Sequence, residues 1–211
     1  MIRVLIADDH AILRRGLKEI LVQELDQVTC GEAEDAQQAL TEVQRRSWDL
    51  VILDISMPGR SGLDLLGDLR QTQPKLPILV LSMHGEDQFG KRVLKAGAAG
   101  YMNKESAPEE LVKAIQKVLA GGRYVSTALA EKLAVALHQD DDGRPIHETL
   151  SSREFEILRM IASGKTVSQI AGELHLGPTT VSTYRTRILG KMHMSTTADL
   201  IRYALQTHLV D

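Results

Sequence analysis

Three carboxylates, one hydroxyl and one ammonium stand at the carboxyl ends of four apolar runs in this sequence. Asp8 and Asp9 close RVLIADD, Asp54 lies in DLVILDI, Ser82 closes PILVLS, and Lys104 follows AAGYMN. Hard oxygen donors of this kind suit Mg²⁺, which takes one or two carboxylates and keeps places for water and phosphate oxygens. A carboxylate can also attack phosphorus and become an acyl phosphate. Ser82 and Lys104 would then offer a hydrogen bond and a charge to the phosphoryl oxygens. Singly, each has a plainer reading: Asp8 or Asp9 as a helix cap, Asp54 as a loop carboxylate, Ser82 as a strand-end hydroxyl, Lys104 as a solvated charge. Their shared placement favours one site.

Such a site needs a parallel sheet behind it. Residues 3–8, 28–33, 49–55, 77–82 and 98–103 predict five strands, two of them almost wholly apolar, as parallel strands buried on both faces are. Leu13, Leu17, Ile20 and Leu21 repeat at helical spacing, as do Leu111, Ile115, Val118 and Leu119. Strands alternating with helices predict a doubly wound α/β sheet, whose ligands bind beyond the carboxyl ends of the strands. From Thr127 the strand signals stop. TALAEKLAVALHQ predicts one more helix, and DDDGRP reads as a linker. The expected division is a domain over 1–122, a helix plus acidic linker over 123–147, and an all-helical domain over 148–211.

The tail predicts four helices. Ser151 with Glu154 forms a capping-box pattern, and SREFEILRMIASG sets Phe155, Leu158, Ile161 and Ala162 on one face before Gly164. VSQIAGELHLG presents Val167, Ile170, Ala171 and Leu174, with a break expected at Gly177. PTTVSTYRTRILGKM opens on Pro178, which suits a first turn, and turns Val181, Tyr184, Ile188 and Met192 inward. Two such helices across a short turn read as helix-turn-helix. Thr179, Thr180, Ser182, Thr183, Arg185, Thr186, Arg187 and Lys191 fall outward, a set suited to phosphates and base edges of a major groove. From Glu148 onward, seven Lys and Arg face six Asp and Glu, so affinity per monomer should be modest. The pattern alone also allows a helical bundle that binds no nucleic acid.

The 211 residues, 43% hydrophobic and 25% charged, have a globular composition, and a net charge of −3 advertises no global basicity. No apolar run approaches the roughly 20 residues of a membrane helix, and the two early aspartates interrupt any secretory signal. The single Cys30 permits no internal disulfide or multi-cysteine zinc site and is read as a small buried side chain. A cytoplasmic protein is expected.

IADDH, DLVILDISMPGRSG, VLSMH and KAGAAGYMNKES resemble, in order, the receiver domain of two-component response regulators across residues 1–122. The resemblance implies a flavodoxin-like fold, Asp54 as phosphoacceptor, Asp8 and Asp9 as the acidic magnesium pair, and a metal shell completed by Asp54 and the backbone carbonyl of Ser56. It also implies Ser82 as switch hydroxyl, Lys104 as phosphate-contacting lysine, Tyr101 as aromatic rotamer switch, and a sensor histidine kinase as donor. Glu105 departs from the proline many receivers carry after the lysine. His84 and Ser56 are expected to affect acyl-phosphate lifetime. LSSREFEILRMIASGKTVSQIAGELHLGPTTVSTYRTRILGKM resembles the LuxR-type helix-turn-helix of the NarL/FixJ class, and VSTYR its GacA- and UvrY-like branch. Ser182 and Tyr184 replace the lysine and histidine common there. By the same resemblance Leu200, Ile201, Ala204 and Leu205 of the last helix form a dimer face; by physics alone that helix covers the bundle.

The expected function is a response regulator whose phosphorylation at Asp54 controls sequence-specific binding of double-stranded DNA. It would act as a homodimer on half-sites about 10 bp apart, with RNA polymerase as a further partner, no membrane and no turnover of an external substrate. Two other classes remain open. One is a Mg-dependent aspartyl-nucleophile phosphatase, against which Ser56 stands where a second aspartate would be needed. The other is a phospho-switched adaptor whose tail binds protein or RNA. Asp140, Asp141 and Asp142 read as a solvated tether, the sharper alternative being that they dock on Arg185 and Arg187.

Overall fold

The computed structural model describes residues 1–57, 62–83, 85–106, 108–137 and 145–210. His84 and the Asp140–Asp142 run therefore lie outside the described residues. The chain divides into two compact units, Met1–His138 and Gln139–Asp211.

The first unit is built on strands β1 (Ile2–Ala7), β2 (Val28–Ala33), β3 (Leu50–Asp54), β4 (Ile78–Ser82) and β5 (Gly100–Asn103). All pair in parallel in the order β2-β1-β3-β4-β5. That order reverses between β1 and β3, which opens a crevice at their carboxyl ends. Helices α1 (Ala11–Glu24), α2 (Ala36–Arg45), α3 (Gly62–Thr72) and α4 (Glu86–Lys95) make the crossovers, and α5 (Pro108–Leu119) follows the last strand. Alternation along each strand sorts the two faces. Val4, Ile6, Leu50, Ile52, Leu79, Leu81 and Met102 pack with Leu17 and Leu21 of α1 and Leu111, Ile115 and Val118 of α5. Cys30 is half-buried beside this core, and burial pushes its thiol up against the opposing pull of Lys18.

The segment after α5 is not the plain connection that the sequence suggests. Tyr124 bonds both sides of Gly100, its N–H donating to Ala99 and its carbonyl accepting from Tyr101, so it extends the sheet edge by one bridge. A Cβ on Gly100 would stand 2.8 Å from the Tyr124 carbonyl oxygen, which explains glycine there. Helix α6 (Thr127–Leu137) then packs on α4, where Leu129 fills the space left by Gly90.

The second unit holds a 3-10 turn (Ile146–Thr149) and helices α7 (Ser152–Ala162), α8 (Val167–Glu173), α9 (Pro178–Lys191) and α10 (Thr197–Gln206). Ser151, Thr166 and Thr196 each head a complete capping box, with Glu154, Gln169 and Asp199 as the reciprocal partners. Phe155, Ile157, Leu158, Ile161, Ile170, Val181, Ile188, Met192, Leu200 and Ala204 form its core. Two expectations are corrected here. Helix α8 stops at Glu173 rather than Gly177: His175, two residues on, takes a left-handed φ of 50°, and Gly177 is the N-cap of α9. The dimer face on α10 is halved, because Leu200 and Ala204 are fully buried where α10 packs on α7. Ile201 is half-buried, and Leu205, 49% exposed, points outward.

Candidate functional site: an acidic crevice and a helix-turn-helix

At the β1/β3 reversal the chain brings Asp8, Asp9, Asp54 and Lys104 together. Asp54, the last residue of β3, is 1% exposed, and Asp8, directly after β1, is 2% exposed. Lys104 Nζ reaches across from the end of β5 to both, 2.6 Å from Asp8 Oδ2 and 2.7 Å from Asp54 Oδ2. The Ser56 N–H donates to Asp54 Oδ1 at 2.9 Å. Arg14 of α1 donates to the Asp8 carbonyl at 2.7 Å, which anchors the turn after β1.

Burial pushes the Asp54 carboxyl above its ordinary range, and the Lys104 charge and the Ser56 N–H pull the other way without cancelling it. For Lys104 burial favours losing the proton, but Asp54 and Asp8 outweigh it and hold the ammonium above its ordinary value. The lysine therefore carries its charge into a nearly solvent-free crevice, where electrostatic interactions are strengthened.

The donor set fits a hard divalent cation. One donor atom from each of Asp8, Asp9, His10 and Asp54 lies within 4.8 Å of the others. Asp9 Oδ1 and Ser56 Oγ are buried and accept or donate no hydrogen bond among the described residues. Buried polar atoms are rarely left so without a partner of another kind. His10 is the crevice member that reading the sequence missed; its place directly after the aspartate pair was the available signal.

Ser82, fully buried, ends β4, and Tyr101, also fully buried, lies on β5. Val80 pairs with Tyr101 and Ser82 with Asn103, so Ser82 and Tyr101 occupy diagonal positions on one face of adjacent strands. A change at the Ser82 hydroxyl thus has Tyr101 as a neighbour along the sheet.

In the second unit the α8–α9 pair forms the helix-turn-helix. Arg153, 5% exposed, donates to the Leu174 carbonyl at 3.2 Å and so ties α7 to the turn. On α9, Thr179, Thr180, Thr183, Thr186, Arg187 and Lys191 are exposed, while Ser182 and Arg185 are half-buried. The Thr183 and Thr186 hydroxyls donate to the Thr179 and Ser182 carbonyls, leaving lone pairs free to accept. Tyr184 is half-buried, with the Arg187 guanidinium 6.0 Å from its ring centre. Lys191 is engaged within the unit: its Nζ lies 2.6 Å from Oε2 of the buried Glu154.

A parallel α/β unit with this crevice, followed by a helix-turn-helix unit, defines a phosphoacceptor-type switch coupled to a regulatory module. The response regulator receiver domain family matches residues 4–116, and the luxR family of bacterial regulatory proteins matches residues 148–204. The chain is 36% identical over 211 residues to the response regulator GacA of Pseudomonas aeruginosa, covering 100% of this chain and 99% of that one. It is 34% identical over 206 residues to UvrY of Escherichia coli, covering 98% and 94%. Among solved structures, RcsB of Salmonella enterica serovar Typhimurium bound to promoter rprA with the phosphomimetic BeF3⁻ aligns with a TM-score of 0.64. The identity is 29%, over 96% of this chain and 98% of that one. The chain belongs to the response regulators that join a receiver domain to a LuxR-family regulatory domain, and it is a phosphorylation-controlled regulator of transcription. Among the described residues no helix is long and apolar enough to cross a membrane.

Proposed function

We propose that Asp54 accepts a phosphoryl group from the phosphohistidine of a sensor kinase and that this controls duplex DNA binding by α9. The observation that carries the reading is the Asp54–Lys104–Asp8 bridge at the sheet reversal, an ammonium held between two buried carboxylates. Asp8, Asp9, Asp54 and the Ser56 carbonyl are the residues that would hold Mg²⁺. When bound, the ion neutralises charge on the phosphoryl oxygens and the attacking carboxylate.

The transfer forms a bond from an Asp54 carboxylate oxygen to phosphorus as the phosphorus–nitrogen bond to the donor imidazole breaks. The freed imidazole nitrogen keeps the electron pair of that bond. Lys104 exchanges its contact with Asp54 for one with the new phosphoryl oxygens, and the Ser82 hydroxyl donates to another. Ser82 leaves its strand-end position in doing so, and Tyr101 repacks toward it, which biases the unit between two packings. The chain turns over no external substrate in this account. In the helical unit, Thr179, Thr180, Ser182, Thr183, Arg185, Thr186 and Arg187 meet phosphates and base edges. A homodimer, with Ile201 and Leu205 as the outward apolar residues of α10, spans two half-sites. RNA polymerase is the further partner, and the cytoplasm the compartment.

The test is selection of a binding site from random duplexes, followed by titration with acetyl phosphate-treated protein and with Asp54→Asn. Tighter binding by the treated wild type alone, with a steep salt dependence, is the expected result. Equal affinity for the treated wild type and Asp54→Asn removes phosphorylation control.

A further inference from the structure

Helix α6 and the residues just before it are fastened to α4, β5 and α5, the elements that follow Ser82 in the chain. The Tyr124 carbonyl accepts from the N–H of Tyr101 itself at 3.2 Å, and the Tyr124 hydroxyl donates to Glu110 of α5 at 3.1 Å. Ser126 caps the first turn of α6: its hydroxyl accepts from the Leu129 N–H at 3.1 Å and donates to the carboxylate of Glu86, the first residue of α4. Leu129 then enters α4 at Gly90, where a built Cβ would stand 2.6 Å from Leu129 Cδ2. Glycine weakens a helix interior, and this one makes room for the leucine. The fastening is narrow. Of the described α6 side chains, Leu129 is buried, Leu133 one turn on is half-buried, and the others are exposed. A helix of 11 residues is marginal in water by itself, so α6 depends on α4 for its form.

We propose that α6 is a strap clipped to α4 and that phosphorylation of Asp54 unclips it, melting the helix and lengthening the chain that leads to the second unit. The inference rests on the phosphoacceptor reading of Asp54 and adds to it the element that carries the signal out of the first unit. Glu86 starts α4 four residues after Ser82, and Tyr101 holds Tyr124 through its own N–H. When Ser82 donates to a phosphoryl oxygen and Tyr101 repacks toward it, the start of α4 is drawn along and the Glu86 carboxylate leaves the Ser126 hydroxyl. Leu129 loses its slot at Gly90, and α6 loses the surface that kept it helical. A helical residue advances the chain by about 1.5 Å and an extended one by up to about 3.3 Å, so melting lengthens the tether. By linkage the coupling runs both ways, and an α6 already loosened makes the phosphorylated packing easier to reach.

The experiment is amide hydrogen exchange by mass spectrometry on the full-length protein, wild type and Leu129→Ala, with and without beryllofluoride and Mg²⁺. Protection of the crevice amides after β1 and β3 reports that the mimic is bound. In wild type the amides of residues 131–137 should exchange at least about tenfold faster once it binds, as local opening does. In Leu129→Ala they should exchange fast from the start, with the strands protected as in wild type. That variant should also bind beryllofluoride roughly fivefold more tightly, the low end of a typical coupling. Exchange in α6 that is unchanged or slower while the crevice amides show the mimic bound overturns the strap and leaves Asp54 as phosphoacceptor. Equal beryllofluoride affinity in the two proteins likewise overturns the coupling. Crevice amides indifferent to beryllofluoride in folded wild type overturn the phosphoacceptor reading, and this inference with it.

Discussion

Gly62, the first residue of α3, presses against the backbone of Asp54 so closely that a Cβ there would overlap the Asp54 carbonyl oxygen and stand 2.6 Å from Ile55 Cα. Its N–H also donates to the Ile55 carbonyl at 3.3 Å. The obstacles are backbone atoms at the end of β3, which cannot swing aside. Gly62→Ala is expected to destabilise the first unit by about 2 kcal/mol, as overpacking does, and to slow phosphorylation of Asp54. Gly67, in the same helix with nothing within 4 Å of a built Cβ, is the control. Gly67→Ala should stabilise by about 1 kcal/mol on helix propensity alone. Thermal denaturation of both variants checks the pair of opposite signs.

The Asp54 carboxyl costs the fold stability in its ionised form. Its folded-state pKa is raised by burial above the ordinary 3.8, so protonation favours the folded state and ionisation at higher pH opposes it. Asp54→Asn should therefore melt above wild type near neutral pH, with the gap narrowing as the pH falls through the raised value and gone below 3.8. Lys104 has the opposite bearing. Its raised pKa supplies stability that is complete below 10.5 and lost as pH climbs through the raised value. Lys104→Met strands two buried carboxylates and should cost about 3–5 kcal/mol. An Asp54→Asn protein less stable than wild type at neutral pH would refute this balance.

Three helices of the second unit are each followed, two residues past their last residue, by a histidine in the left-handed region: His175 (φ 50°), His193 (φ 54°) and His208 (φ 52°). Each is followed by an N–H that bonds back five residues, Leu176 to Ala171, Met194 to Leu189 and Leu209 to Ala204, closing the helix. Side chains with a Cβ are strained there by about 1–2 kcal/mol, part of which a glycine would give back as unfolded-state entropy. Replacing each histidine by glycine should thus stabilise by roughly 0.5–1 kcal/mol, against the usual loss for glycine. Gly164, at φ 82° after α7, should show the converse on change to alanine. Chemical denaturation midpoints decide the sign.

Glu154 joins the α7 capping box to the end of α9 through Lys191. Burial alone would raise its carboxyl, but Lys191 and Ser151 outweigh burial and hold it below the ordinary 4.5. Its contribution is accordingly present above 4.5 and lost as the pH falls through the lowered value. Glu154→Gln should cost about 1–2 kcal/mol at neutral pH, the scale of a charged hydrogen bond. It should also flatten the acid limb of the stability profile. A variant that tracks wild type through that limb would show that Glu154 contributes nothing there.

Much of this was legible in the sequence. The five strands fall within two residues of their expected bounds because apolar runs between polar breaks map directly onto strands buried on both faces. The crevice was legible for the same reason, since a parallel sheet delivers its strand ends to one edge. What escaped depends on contacts between residues far apart or on unusual backbone. The Lys191–Glu154 pair spans 37 positions, so an outward lysine on α9 looked free for phosphates. His175 takes a conformation that sequence rules reserve for glycine, which displaced the expected break to Gly177. Helical spacing identified Leu200 and Ala204 as apolar but could not say that α7 would cover them.

The central claim is that Asp54 is the phosphoacceptor, and intact mass after incubation with acetyl phosphate and Mg²⁺ tests it most directly. Wild type should gain one phosphoryl group, lost at high pH, and Asp54→Asn should gain none. An equal adduct on Asp54→Asn, or none on folded wild type even when beryllofluoride is offered as a stable mimic, would contradict it.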